Sequence, residues 1–191
     1  IANRYTHILA PNNQRIPILI QDSFSDEQIA HVRGVLESYL TNIPESDLGS
    51  NKDQIANSIA ATNAILLLLN DESEYDNPDL LALFDAGIKG QDLLATEVVF
   101  EGNIHYMNSL IRDATYEEVL HFVHEYGIQL AAPGVQSHLE NAMAQAINNG
   151  YYQPLFDIPE EDYDEEYFAL GVESYFGLWA HDPNGDGYCG D

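Results

Sequence analysis

Glu117, Glu118 and His121 are the residues whose types and spacing are best suited to chemistry. If residues 115–127 form a helix, Glu117 and His121 lie four positions apart and share one helical face. This is the geometry of the HExxH motif, in which two His hold zinc and the Glu between them is the general base, with the first His replaced by Glu. A carboxylate is also a zinc ligand, so Glu117 and His121 are candidate metal ligands and Glu118 is a candidate general base. His124 is an alternative to Glu117 as a ligand.

The same helix also has an ordinary structural explanation. The helix dipole favours acidic residues in a first turn, and Thr115 with Glu118 fits a capping box. Gly127 fits the position just beyond a helix end. A metal site therefore requires a further ligand from elsewhere in the chain.

That ligand is expected on a second helix, over residues 164–177, where Glu166 and Glu173 lie on one stripe. An apolar stripe runs beside them, and a carboxylate on a largely apolar helix is unfavourable unless it is paired or bound to a metal. Glu166 is the preferred third ligand, with Glu173 as the alternative. The acidic residues that precede Glu166 are also typical of a solvated helix N-terminus.

Together the two stretches resemble the gluzincin metallopeptidases of the anthrax lethal factor type. Their motif helix reads His-Glu-Phe-Gly-His, where this chain has Glu-Glu-Val-Leu-His at 117–121. Their third-ligand helix contains Glu-Phe-Phe-Ala, where this chain has Glu-Tyr-Phe-Ala at 166–169. The resemblance covers roughly residues 90–180. It implies a zincin-like fold, a zinc cofactor and a peptide or protein substrate, with His121 and Glu166 as ligands and Glu118 as general base.

Glu117 departs from the family pattern, because it stands where the family has the first zinc His. Two carboxylate ligands make the site less positive than two His and one Glu, so a bound water would be less acidic and cleavage weaker. The resemblance also offers Tyr163 as the candidate for the family's transition-state Tyr. A strand expected at 94–101 would be the edge strand that lines the cleft, although it also fits an ordinary sheet strand.

A second candidate metal site lies near the end of the sequence, at Asp182, Asn184 and Asp186. Their spacing, with Gly187 next, matches the start of a D-x-[DN]-x-[DN]-G calcium loop. The Glu that closes an EF-hand has no counterpart. A turn rich in Gly, Asn and Asp favours the same residue types, so both interpretations stay open.

The charge balance excludes several classes of partner. Lys and Arg total 6 against 32 Asp and Glu, which gives a net charge of −26. Nucleic acid and anionic membranes bind basic surfaces, so neither is expected as a partner. No apolar run is long enough to cross a bilayer. The acidity suits cation binding or a salty, extracellular environment, and the single cysteine, Cys189, allows self-association through another chain.

The pattern of elements predicts one α+β domain over residues 1–191, with a sheet-containing lobe at 1–114 and the two motif helices with an acidic loop at 115–191. A small mixed sheet should pack on helices at 26–43 and 115–126. The other expected elements are a loop over 1–15, an edge strand 16–20 containing Pro17, an ambiguous segment 53–62, a buried central strand 64–69, a short helix 79–87 and a helix 134–148.

Two functions fit these observations. The first is a zincin-like metal-binding domain, either a weak metallopeptidase or a degenerate descendant of one. The second is a non-catalytic extracellular protein on a zincin-like fold that binds calcium and supports structure or interaction. A His at position 117 would favour the enzyme, and the Glu leaves both open.

Overall fold

A four-stranded mixed sheet forms the centre of the fold. The computed structural model describes residues 2–100, 113–154 and 158–178. The strands are β1 (Arg4–Leu9), β2 (Arg15–Ile20), β3 (Ile65–Leu69) and β4 (Gly90–Leu94), in that spatial order. β1 and β2 form an antiparallel hairpin, whereas β2–β3 and β3–β4 are parallel pairs. Over the described residues, β1 and β4 are therefore the two edge strands.

Six helices accompany the sheet in the described parts of the chain. They are α1 (Asp26–Leu40), α2 (Asp53–Thr62), α3 (Pro78–Asp85), α4 (Thr115–Val123), α5 (Pro133–Asn148) and α6 (Tyr163–Phe176). A π-helical segment (His124–Ile128) and one further helical turn (Gln129–Ala131) extend α4. The predicted mixed α+β class is confirmed.

The main core lies between one face of the sheet and helices α1, α2 and α4. Alternation along β2 turns Ile16, Ile18 and Ile20 towards these helices, where all are buried. β3 is buried on both faces, because Leu67 and Leu69 pack with Leu80 of α3 and Leu94 on the opposite side. Helix α4 contributes three residues to the main core, namely Val119, Phe122 and Val123.

Several predicted elements have the expected type. The capping box of Ser25 and Gln28 forms as the sequence predicts, with both reciprocal hydrogen bonds present at the start of α1. The strand at 64–69 is central, and the helices predicted at 79–87, 134–148 and 164–177 are α3, α5 and α6. α1 contacts α4 as predicted, and the hydroxyl of Tyr39 donates a 2.9 Å hydrogen bond to the carbonyl of Tyr116.

The predictions for the first two strands of the sheet are partly wrong. Residues 4–9 are a strand rather than a loop, because pairing with β2 supplies their hydrogen bonds. Pro17 does not mark an edge, since β2 lies between β1 and β3. It is tolerated because the parallel pairing with β3 begins at Ile18, one residue later.

The strand predicted at 94–101 is also wrong over the described residues. The strand runs earlier, over Gly90–Leu94, and the chain then turns. The Glu97 carboxylate accepts a 2.8 Å hydrogen bond from the amide of Leu94, which stabilises this turn. Val98 and Val99 are buried as part of a loop, so their burial reflects packing rather than sheet pairing.

Both boundary residues predicted for the motif helix have other roles. Thr115 is fully buried and Ala114 is the cap, while the Asp113 carboxylate accepts the Thr115 amide at 3.1 Å. Gly127 lies inside the continuing helix rather than beyond its end. A Cβ there would lie 2.6 Å from Cγ2 of Ile55, so glycine permits the close packing of this segment on α2.

This packing predicts opposite effects at two helical glycines. Gly127→Ala should destabilise the protein by about 1–3 kcal/mol, because the new methyl group overpacks the contact with Ile55. Gly171→Ala in α6 meets nothing within 4 Å and should stabilise by about 0.5–1 kcal/mol through helix propensity. Urea unfolding of both variants measures the difference. Equal stability of the two would contradict the packing argument.

Candidate metal centre

The motif helix and α6 bring three of the predicted ligands together. Glu117 and His121 lie one turn apart on α4, and Glu166 lies on α6, which packs against α4. One ligand atom from each residue lies within 4.8 Å of the other two. Separations of this size suit three donors around one cation, because each donor would lie about 2.0–2.2 Å from zinc.

His121 has the environment of a ligand that lacks a partner. The residue is 9% exposed, and its Nε2 is buried without a hydrogen bond to any described residue. Its Nδ1 lies 3.8 Å from the Glu118 carboxylate. A buried ring nitrogen without a partner is unfavourable, and a cation bound at Nε2 would supply one. The donor set of one imidazole and two carboxylates fits a divalent metal.

Glu118 is held beside this cluster by a residue of the sheet edge. Gln91 of β4 donates a 2.6 Å hydrogen bond from Nε2 to the Glu118 carboxylate. Burial is the main cause of a rise in the pKa of Glu118 to about 8. The negative charges of Glu117, Glu97 and Asp92 contribute to this rise, and the Gln91 hydrogen bond opposes it. Without a cation Glu118 therefore keeps its proton at neutral pH.

Gln91 is a site residue that the sequence does not reveal. It lies 27 positions before Glu118, and no strand is predicted at Gly90–Leu94. The strand has low β propensity, since it reads Gly-Gln-Asp-Leu-Leu. Only the parallel pairing of β4 with β3, which extends from Ile65↔Gly90 to Leu69↔Leu94, brings it next to the motif helix. No local signal in the sequence could have found it.

His124 and Glu173, the alternative ligands, lie outside the cluster. His124 is fully buried, and its Nε2 lies 2.7 Å from Oε1 of Gln136 on α5. Glu173 is 2% exposed and lies near Tyr39 of α1, where burial chiefly raises the pKa of the Tyr39 hydroxyl and the charge of Glu173 contributes to the rise. Of the carboxylates predicted as ligands, Glu117 and Glu166 are thus the two that cluster with His121.

Of the remaining predicted site residues, only Tyr163 lies in the described part of the chain. It is the first residue of α6 and is half-buried; its carbonyl accepts a 3.5 Å hydrogen bond from the Tyr152 hydroxyl. Its role stays a prediction. The calcium-loop residues Asp182, Asn184 and Asp186, and also Cys189, lie outside the described residues.

Comparison with protein-family models, with curated proteins and with solved structures finds no match to this chain. Among the described residues, no helix is long and apolar enough to cross a membrane. The geometry of the site is therefore the main basis for a functional proposal.

Proposed function

We propose that this chain is a zincin-like metal-binding domain whose centre consists of Glu117, His121 and Glu166. The observation that carries the proposal is the buried Nε2 of His121, which lacks a hydrogen-bond partner among the described residues, next to two carboxylates within ligand distance of each other. Zinc is the first candidate, because imidazole and carboxylate are both zinc ligands and the spacing resembles HExxH.

The activity proposed for this centre is weak or degenerate peptide hydrolysis. Zinc held by Glu117, His121 and Glu166 would supply Lewis-acid chemistry, which polarises a carbonyl group and makes water more acidic. Glu118 would accept a proton from the attacking water as general base. Gln91 would orient the Glu118 carboxylate through the 2.6 Å hydrogen bond. A cation next to Glu118 would lower its pKa from about 8 and so increase the deprotonated fraction that can act as a base at neutral pH. The carboxylate of Glu117 offsets part of this effect.

Metal titration of the purified, chelator-treated protein tests the proposal. Wild type should bind about one zinc ion per chain, and His121→Ala should weaken binding by about 100-fold or more, because the only imidazole of the cluster is lost. His138→Ala is the matched control, since His138 is exposed on α5 and contacts the Gly134 carbonyl. Equal zinc affinity of wild type and His121→Ala would refute the proposed centre.

The second proposal is a non-catalytic, extracellular calcium-binding protein that supports structure or self-association. The spacing of Asp182, Asn184 and Asp186 and the net charge of −26 favour it. The same titration separates the two proposals when calcium is added as a second probe. Calcium binding that persists in His121→Ala but is lost in Asp186→Ala supports the terminal loop, whereas no calcium binding by wild type removes this alternative.

A further inference from the structure

His124 occupies an unusual position between three helices. It is the first residue of the π-helical segment that continues α4, and it is 0% exposed. Its ring meets Phe168 of α6 edge-on, with 5.6 Å between ring centroids. A histidine buried to this degree favours polar or charged neighbours at both ring nitrogens: Gln136 on α5 is the hydrogen-bond partner of Nε2, and Glu165 on α6 faces Nδ1.

The polar contacts of His124 are directed at the two residues that precede Glu166. Nδ1 lies 3.6 Å from Oε1 of Glu165, and Nε2 lies 3.9 Å from Oδ2 of Asp164. Nε2 also lies 2.7 Å from Oε1 of Gln136, while the Gln136 amide donates to Asp164. The ring, Gln136 and the two carboxylates form one network, which we call the His124 tie.

We infer that His124 is a positioning residue that sets the axial position and the rotation of α6 against α4, so that Glu166 lies next to His121. This inference rests on the proposed metal centre. Glu165 and Glu166 are consecutive on α6, and each helical residue is offset from the one before it by a rise of about 1.5 Å and a rotation of about 100°. An anchor at Glu165 therefore also fixes the position of Glu166. His121 and His124 are three positions apart, so the ligand and the tie belong to one rigid element.

The network explains why His124 is not itself a ligand. Its Nε2 is engaged by Gln136. Its Nδ1 faces Oε1 of Glu165, and both of these atoms are buried and make no hydrogen bond with a described residue. These two atoms face each other at 3.6 Å and form an ion pair when the ring is protonated. Burial lowers the pKa of His124, but Glu165, Gln136 and Asp164 together outweigh it and raise the pKa above its usual value.

The test compares His124→Gln, Glu166→Gln and the double variant by zinc titration. Loss of a group that orients a ligand typically weakens metal binding about 10–100-fold, so His124→Gln should fall in this range. The double variant should bind no more weakly than Glu166→Gln alone, because the tie acts only through Glu166. Independent, multiplicative losses, or wild-type affinity in His124→Gln, would overturn the inference.

Hydrogen exchange of the metal-free proteins supplies a readout that does not depend on zinc. His124→Gln should speed amide exchange in α6 by about tenfold or more while β3 exchanges as in wild type. His31→Gln is the matched control, because the His31 ring pairs with Asp113 at 2.7 Å and packs against Phe100 and Tyr116, none of which belongs to α6. It should leave α6 exchange unchanged.

The two readouts separate failure of the inference from failure of the proposed function. If wild type binds no zinc, the proposed centre is wrong, and an unchanged α6 exchange rate in His124→Gln would overturn the tie as well. Should His124→Gln fail to fold, Glu165→Gln removes the partner carboxylate, whose side chain is 18% exposed, and should produce the same two changes. A folded Glu165→Gln variant with wild-type affinity and exchange refutes the tie.

Discussion

Glu118→Gln is expected to stabilise the metal-free protein at pH 8 and above, by several kcal/mol. The pKa of Glu118 is raised from 4.5 to about 8 in the folded state, mainly by burial and then by Glu117, Glu97 and Asp92. A tenfold change in a protonation equilibrium corresponds to about 1.4 kcal/mol. An uncharged glutamine avoids the burial of a carboxylate among these negative charges and keeps an oxygen that can accept the hydrogen bond from Gln91.

The direction of the pH dependence follows from the raised pKa. Below pH 4.5 the carboxyl group is protonated in both states, and its contribution to stability is fully present. Between pH 4.5 and about 8 the unfolded chain has released this proton while the folded protein still binds it, so stability falls as pH rises. Above about pH 8 both states have released it and the loss is complete.

Urea unfolding in the presence of a chelator, at several pH values from about 5 to about 9, measures this effect. The free energy of unfolding of wild type should fall relative to that of Glu118→Gln across the window. Glu160→Gln is the control, because Glu160 is exposed and its replacement removes the same charge from a chain of net charge −26. Parallel pH curves for wild type and Glu118→Gln would show that Glu118 titrates normally.

The elements that the sequence predicts correctly are those whose signal lies within one segment of the chain. The capping box of Ser25 and Gln28 and the apolar run at 64–69 each carry their structure in adjacent residues, and α1 and β3 form as predicted. β1 and β4 do not carry such a signal. Arg4–Leu9 mixes polar and apolar residues, and Gly90–Leu94 starts with Gly-Gln-Asp, so both become strands through pairing with neighbouring strands.

The residues of the candidate site also differ in whether the sequence predicts them. Helical spacing within α4 and within α6 places Glu117, His121 and Glu166 among the candidate ligands, and the structure brings these three residues together. Spacing cannot select between Glu166 and Glu173, or between Glu117 and His124, because that choice depends on the rotation of α6 against α4. Gln91 and the contacts of His124 with Gln136 and Glu165 arise only from packing between elements.

Glu117→His is expected to increase zinc affinity by about tenfold or more, equivalent to about 1.4 kcal/mol. The change restores two imidazoles on one face of α4 and leaves Glu166 as the single carboxylate ligand, which is the full HExxH donor set. It also removes the negative charge that, after burial, contributes most to raising the pKa of Glu118. Glu118 should then lose its proton at a lower pH.

Glu117→Gln is the control that separates ligand replacement from charge removal. It removes the same negative charge without supplying an imidazole, so its zinc affinity should fall below that of wild type. Isothermal titration of the three proteins with zinc provides the comparison. An affinity order in which Glu117→His is no tighter than Glu117→Gln would show that position 117 does not contact the metal.

Hydrolysis of a labelled, unfolded protein substrate measures the consequence for activity. Wild type should cleave weakly or not at all, because two carboxylate ligands leave the centre less positive. Glu117→His should cleave measurably and in a chelator-sensitive manner, since zinc is held more tightly and Glu118 is a competent base at neutral pH.

Adding Glu118→Gln to Glu117→His should reduce this cleavage by about 10²–10⁴-fold while zinc stays bound, because an amide cannot accept the proton. Robust chelator-sensitive cleavage by wild type would show that Glu117 supports catalysis as well as a histidine does, and no cleavage by zinc-loaded Glu117→His would favour a binding protein that never acted on peptides.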